Sequence, residues 1–391
     1  MREGWTYKKL GEVCDKSQNI NWNKVSEEKQ YAYIDLSSVD RECLSVINPQ
    51  IINKTNAPSR AKQIVETGDV IFATTRPTLR RTCVIGEDYN GQICSTGFCV
   101  LRPQKQVLSK WIFYNIQNDG FYSYIEPLQT GANYPAVADS VVKDYNIPVP
   151  SLSEQQSIVA ELDKINELIS LKKAQLSDLD SLAQSIFYDM FGDPIENEKG
   201  WKVKKLGEIS SVKTGPFGSM LHKEDYISNG IPLVNPIHVK DYRVIADMNF
   251  TISEEKAREL NAYILRKNDV IFARRGDIGR CAVISDKENG YLCGTGSLFV
   301  RFEQEVIPQY IMYIIRSSSF IKELISKAKG ATMLNLNSTT IASLGIPLPP
   351  LSLQQEFAKR IELIEQQKAQ ISSTIKDLET LLASRMQYWF D

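Results

Sequence analysis

The chain spells its opening twice. GWTYKKLGEV starts at Gly4 and GWKVKKLGEI at Gly200, 196 residues later. Further blocks follow in the same order: GDVIFATTRP from Gly68 meets NDVIFARRGD from Asn268 at an offset of 200, and ICSTGFCVLR from Ile93 meets LCGTGSLFVR from Leu292 at 199. GANYPAVADSVVKDYNIPVPSLSEQQ from Gly131 then meets GATMLNLNSTTIASLGIPLPPLSLQQ from Gly330 at 199 without a gap, sharing Ile-Pro-x-Pro, Leu-Ser and Gln-Gln. Four matched blocks in one order mean a duplicated unit, and 391 residues suit two domains plus connecting elements. Whatever one copy folds into, the other folds into as well, with insertions and deletions between the blocks.

Each copy divides again by periodicity. Its first part alternates short β-branched runs (YAYIDL, DVIFA and CVLR; DVIFA, CAVI and LFVR) with Gly, Pro, Asn and Asp turns, the pattern of a mixed α/β domain built around strands. Its second part is helical. After Pro150, with Ser151 or Ser153 as cap, Leu162, Ile165, Ile169, Lys172, Leu176, Leu179, Ala183 and Ile186 recur at spacings of three and four. After Pro350, with Ser352 as cap, Ile361, Ile364, Lys368, Ile371, Ile375, Leu378, Leu382 and Arg385 do the same. Two helices of about 35 residues, about 50 Å each, expose apolar stripes that neither can bury alone. The economical partner of each seam is the other, as an antiparallel coiled coil serving as a rigid spacer; the alternative packs each helix on its own globular part. Lys172 and Lys368 interrupt the seams and are expected to snorkel to solvent, the alternative being that they set register. The fold class expected is α+β: two mixed α/β domains (1–150 and 193–350), each followed by a long helix (151–192 and 351–391), with an internal pseudo-two-fold repeat.

Motifs for chemistry are absent from the sequence. It has no GxxxxGK[ST] and no GxGxxG after a strand; Asn133-Tyr134-Pro135-Ala136 and Leu348-Pro349-Pro350-Leu351 do not fit the amino-methyltransferase tetrad. Glu254-Glu255-Lys256 reads as a solvated first helical turn, not as a nuclease site. Seven cysteines form no CxxC pair and the histidines are His222 and His238, which argues against structural zinc and nucleophilic triads and for apolar thiols in a reducing compartment. No apolar run is long enough for a spanning helix and the start has no secretory core, so the expected location is the cytoplasm, with no membrane partner.

A formal net charge of −1 means that any nucleic-acid function must come from local clusters. Such clusters follow the DVIFA run in both copies: Arg76, Arg80 and Arg81 in the first, Arg274, Arg275 and Arg280 in the second. Guanidinium forks suit phosphate oxygens and the guanine edge, so two basic loops leaving the same strand end read as a pair of DNA contacts, against a reading as surface solubility. Copy two adds a stretch rich in glycine and proline, LysThrGlyProPheGlySerMetLeuHisLys from Lys213 to Lys223, where backbone can approach a ligand closely. Copy one has no counterpart there. A shared frame with different loops is the pattern of one scaffold carrying two specificities.

With GWxxxxLGE at both starts, APSRAKQIVETGDVIFATTRPTLRR and STGFCVLRP in copy one, TGPFGSMLHKEDY in copy two and IPxPxLxxQQ before each long helix, the whole chain resembles the DNA-specificity subunits of type I restriction-modification systems. The resemblance implies two target-recognition domains that each read half of a bipartite sequence in double-stranded DNA. It implies helices that set the gap between the halves and dock two modification (methyltransferase) subunits, with restriction subunits joining them. It places adenine-N6 methylation and ATP-dependent cleavage in those partners, so that S-adenosylmethionine, ATP and Mg belong to them and this chain is a recognition subunit without a cofactor, catalytic residue or metal. It adds contacts in the same loops and in the segment before IPxP: Arg60, Arg76, Arg80, Arg81 and Tyr134 in the first domain; Lys213, Ser219, Lys223, Arg274, Arg275, Met333 and Asn335 in the second. Two other classes stay open: a self-sufficient methyltransferase or nuclease with an unrecognised site, and a coiled-coil protein adaptor.

Overall fold

A computed structural model describes residues 4–217, 220–276, 278–303, 306–328 and 335–390. The chain packs as two compact units: one takes in residues up to Lys173 and again from Ser373, the other is Ala174–Ser372. The long helices, Leu152–Phe191 and Leu351–Phe390, have 40 residues each and are each divided between the units.

The two units repeat one topology. In the first, an antiparallel sheet runs in the order Cys14–Asp15, Phe98–Pro103, Val70–Ala73, Thr82–Val84; in the second, Ser210–Thr214, Ser297–Phe302, Val270–Ala273, Cys281–Val283. The central DVIFA strands are wholly buried, which is why they read as unbroken apolar runs. A second sheet joins each: five strands in the first unit and four in the second, with one parallel pairing apiece, Tyr33 opposite Ile93 and Leu233 opposite Leu292.

The repeated spellings have physical reasons. In GWxxxKLGE, the strands Thr6–Lys9 and Lys202–Lys205 pair antiparallel with the Ile-Pro-x-Pro strands Asn146–Val149 and Gly345–Leu348, closing the two ends of each copy on one another. Leu10 and Leu206 are buried, and Glu12 and Glu208 accept the Lys9 and Lys205 backbone N–H at 3.1 and 3.2 Å. Trp5 stacks on Trp389 at the end of the second long helix, and Trp201 donates its indole N–H to the Phe191 carbonyl at the end of the first. Each opening thus docks on the helix that ends the other copy. The Asp of (G/N)DVIFA also has a partner: buried Asp69 receives Arg102 through two hydrogen bonds of 2.9 Å, and buried Asp269 receives Arg301 at 2.9 and 2.6 Å.

Each long helix is rooted by the first glutamine of Gln-Gln. Gln155 is fully buried; its side-chain oxygen accepts the Leu108 N–H, and its amide donates to the Gln106 and Pro150 carbonyls, all at 3.0 Å. Gln354 does likewise with the Ile307 N–H and the Pro349 carbonyl. Ser151 caps the first helix by accepting the Glu154 N–H. Ser352 is not a cap: the second helix starts at Leu351, and at the position matching Ser151 stands Pro350, whose carbonyl accepts the Gln354 N–H but which has no hydroxyl to cap with.

Of the seam residues, Leu162, Ile165, Ile169, Ile361, Ile364, Ile371 and Ile375 are buried and Leu176, Leu179 and Leu378 are half-buried. The helices run antiparallel. In the first unit Glu161 meets Arg385 and Lys173 meets Glu379; in the second, Asp180 meets Lys368. Both expected kinds of packing occur. Leu162 joins the core of the first domain with Phe390 from the other helix, and Ala183, Phe187 and Phe191 join that of the second with Phe357, Ile361 and Ile364. Lys368 does not snorkel: its side chain is only 14% exposed and its ammonium bonds Asp180 at 2.9 Å and Glu365 at 3.0 Å, because a carboxylate on each helix lies within reach.

Removing one partner of a buried, doubly bonded ion pair strands the other. Asp69→Ala and Asp269→Ala are each expected to destabilise their own unit by about 3 kcal/mol, read as a lower urea midpoint.

Candidate nucleic-acid interface

Following the central strand, each chain copy turns sharply and meets the segment that precedes Ile-Pro-x-Pro. In the first unit Thr75 bridges Ala136, the Val137 N–H donates to the Thr74 carbonyl and the Arg76 N–H to the Pro135 carbonyl at 2.7 Å. In the second, Arg275 bridges Asn335 and the Leu336 N–H donates to the Arg274 carbonyl at 2.9 Å. Two stretches about 60 residues apart, singled out separately in the sequence, are therefore one surface in both copies. The shared Thr-Gly turn completes it: the Thr74 N–H donates to the Gly97 carbonyl and the Arg274 N–H to that of Gly296.

This backbone correspondence fixes which residues of the two loops match. Thr74 matches Arg274, Thr75 matches Arg275, and the Ala73 and Ala273 N–H groups donate to Arg81 and Arg280, which match each other. Arg76 and Arg80 consequently stand where the second copy has Gly276 and Gly279. All four positions are left-handed, with φ of 50°, 54°, 76° and 96°. Glycine adopts that region freely; an arginine there is strained, and strain of this kind persists where the surroundings or a function over-determine it.

The side chains have different fates. Arg76 is exposed, with its guanidinium 4.9 Å from the centre of the Tyr134 ring, which is itself 68% exposed. Tyr134 sits at the tip of a hairpin closed by reciprocal Thr130 and Ala136 backbone bonds, and a Cβ on Gly131 (φ 95°) would come within 2.9 Å of the Tyr134 carbonyl oxygen, so the tip needs glycine. Arg80 is half exposed; it bonds Asp119 at 2.7 Å and covers the Tyr122 ring at 4.2 Å, and burial pushes the Tyr122 phenol up to about 12 against the pull of the Arg80 charge. Arg81 is half-buried, with its Nε buried and unpartnered among the described residues. Arg60 is exposed and its carbonyl accepts the Thr96 N–H.

In the second unit Arg275 is exposed, whereas Arg274 is only 6% exposed and donates through Nε to the Asn335 side chain at 3.2 Å. Burial first, then the Arg275 charge, holds its guanidinium below its ordinary pKa. Arg274 is therefore not the free fork expected of it, because the position it fills is the buried Thr74 position of copy one. Arg280 is half-buried and donates to the Pro236 carbonyl at 3.2 Å. Lys213 is exposed opposite Phe299 in its sheet, and Lys223 is exposed at the start of a short turn. Ser219 and Met333 lie outside the described residues. Sequence reading missed Asp119 and Tyr122, which hold Arg80; they lie outside the repeated blocks and carried no signal there.

The sequence model of the type I restriction modification DNA specificity domain matches residues 2–180 and 198–380. The chain is 26% identical over 282 residues to the type I restriction enzyme MjaIX specificity subunit of Methanocaldococcus jannaschii, covering 68% of this chain and 64% of that subunit, less than two thirds of its length. It is 25% identical over 288 residues to the EcoKI specificity subunit of Escherichia coli, covering 69% of this chain and 61% of that one. A solved chain described under the assembly and conformational transition of the type I R-M system superposes with a TM-score of 0.63 at 25% identity, covering 99% of this chain and 97% of its own. A type I restriction-modification S subunit from M. genitalium shares the fold at a TM-score of 0.56 and 15% identity, covering 99% of this chain and 96% of its own.

Arg76→Gly replaces a strained residue by the one its repeat partner uses. The expected result is a melting temperature unchanged or raised. Arg274→Ala, which removes a buried guanidinium and unpairs Asn335, should lower stability by about 1–3 kcal/mol, while Arg275→Ala stays within about 0.5 kcal/mol. Paired urea titrations of the three variants check this.

Proposed function

Since the chain belongs to the family of type I restriction-modification DNA specificity domains, we propose that it is the sequence-recognition subunit of such a system, each recognition domain reading one half of a bipartite target in double-stranded DNA. The observation that carries the reading is the repeated joining of the strand-end loop to the segment before Ile-Pro-x-Pro, with one backbone and different side chains in the two copies. A frame held constant under divergent arginine, tyrosine and asparagine side chains is what two different half-sites require.

In the first domain Arg60, Arg76, Arg80, Arg81 and Tyr134 face the DNA, with Arg76 and Tyr134 at its centre. In the second, Arg275, Lys213, Lys223, Arg280 and Asn335 do, together with Ser219 and Met333. Arg274 acts through Asn335, orienting its amide for a base edge rather than touching DNA itself. Two modification subunits dock on the long helices and restriction subunits join them. Those partners carry S-adenosylmethionine, ATP and Mg, so this chain contributes recognition and no catalysis. Its place is the cytoplasm, where the DNA is.

Single-molecule sequencing of N6-methyladenine in the host genome, with the gene present and deleted, tests the reading. The expected result is loss of one bipartite motif with a fixed gap; an unchanged methylome overturns it. For the assembled complex, Arg76→Glu combined with Arg275→Glu is expected to weaken DNA binding and to lower the slope of log K against log salt by about 1 for each phosphate that is no longer neutralised. An adaptor would keep both affinity and slope.

A further inference from the structure

In the second unit a tight hairpin, Val239–Lys240 against Arg243–Val244, reaches from the recognition domain to both long helices. Its two central residues, Asp241 and Tyr242, are left-handed, with φ of 47° and 59°. A two-residue hairpin turn of this hand ordinarily uses Asn-Gly or Asp-Gly, and a bulky aromatic at the second place is strained. The turn presents Tyr242 to a guanidinium: Arg316, from the domain helix Pro308–Arg316, stacks 3.6 Å from its ring centre and lies 4.6 Å from that of Tyr313. Arg316, 8% exposed in its side chain, in turn reaches Asp180 of the first long helix at 3.7 Å. The neighbouring hairpin residue, Arg243, bonds Glu365 of the second long helix, and Lys368 ties Asp180 to Glu365. Between hairpin and helices lies a cleft of about 290 Å³ lined by Leu176, Tyr242, Ile245 and Lys368.

The first copy builds the same hairpin differently. Val39 bridges Val46, but the tip between them holds six residues rather than four, and its left-handed residue is Leu44. Leu44 lines a larger cleft of about 640 Å³ with Leu382 and Met386 of the second long helix. Ion pairs and a stacked guanidinium are directional, whereas apolar contact is not. The second copy therefore has a directional clamp where the first has a wider cleft of mixed lining, in which Arg80 and Asp119 pair with each other and Leu44 meets the helix through apolar side chains.

We propose that the Asp241-Tyr242 hairpin is a positioning element: through Tyr242 on Arg316 and Arg243 on Glu365 it sets the angle of the second recognition domain on its long-helix segments, and so determines where the second half-site falls. This rests on the recognition function proposed above. Strain retained at Tyr242 is the mark of a residue kept for its side chain and not for its backbone.

Tyr242→Gly preserves the left-handed turn and relieves the strain but removes a half-buried ring and its stacking on Arg316, so the purified chain should stay folded and melt somewhat below the wild-type temperature. In cells the methylated motif of this variant is expected to spread to sites with the gap changed by one base pair, the preference for the native gap dropping at least about tenfold while the first half-site keeps its stringency. Tyr242→Phe, which keeps the ring, should restore the native gap. Arg243→Gln, changing an exposed residue, should loosen the gap in the same direction even if Tyr242→Gly fails to fold. A variant set that is folded and keeps the native gap overturns the positioning role, as does loss of stability with the gap preference intact. A wild-type chain that directs no methylation at all overturns the recognition function instead, and the two failures are thereby distinguished.

Discussion

A buried side-chain amide at the root of each long helix governs where that helix points. Gln155 and Gln354 are 0% and 2% exposed; each accepts a backbone N–H of the adjoining domain through its oxygen, and through its nitrogen Gln155 donates to two backbone carbonyls and Gln354 to that of Pro349. A buried amide left unsatisfied is costly, so the helix can leave the domain only in the direction that satisfies it. Every seam contact further along inherits that direction. The proline carbonyls of Ile-Pro-x-Pro reinforce it: the Trp111 indole donates to Pro148 and the Tyr310 hydroxyl to Pro347, each at 2.8 Å, so the strand before the helix is tied to the domain core from a second side.

Different groups of charged residues hold the fold and line the candidate interface. The arginines that matter to the fold, Arg102 and Arg301, are held bidentate on buried aspartates and are the same in both copies. Most of those on the candidate interface differ between copies, Arg81 and Arg280 being the matched pair. Arg76 and Arg80 occupy glycine-like backbone, and Arg274 occupies a threonine's place and leans on Asn335. Divergence at these positions leaves the pairs that hold the sheets undisturbed. The same division runs through the helices, where apolar seam residues supply burial and Lys368, between Asp180 and Glu365, supplies register.

Much of this organisation was legible in the linear order of residues because it recurs. The duplication, the buried DVIFA strand, the two long helices and their apolar stripes all announce themselves by local period or by self-similarity, and each is visible without knowing what lies across from it. The same order, at an offset of 200, already sets Thr74, Thr75 and Arg76 opposite Arg274, Arg275 and Gly276. What the linear order leaves open is where the offset falls from 200 to 199, and the backbone bonds from Ala73 to Arg81 and from Ala273 to Arg280 show that the change lies inside the loop, before Arg81.

Sequence alone determined that there are two copies of one domain, each ending in a helix that cannot bury its own stripe, and that basic residues follow the same strand in both. Those properties depend on neighbours a few residues away or on a match between copies, so they survive in the linear order. Tertiary structure decided which arginine reaches solvent and which is buried, that Lys368 is ion-paired and not free in water, and that a strained tyrosine clasps Arg316. Each of these depends on a partner dozens to nearly two hundred residues distant, whose reach and burial exist only once the chain has packed.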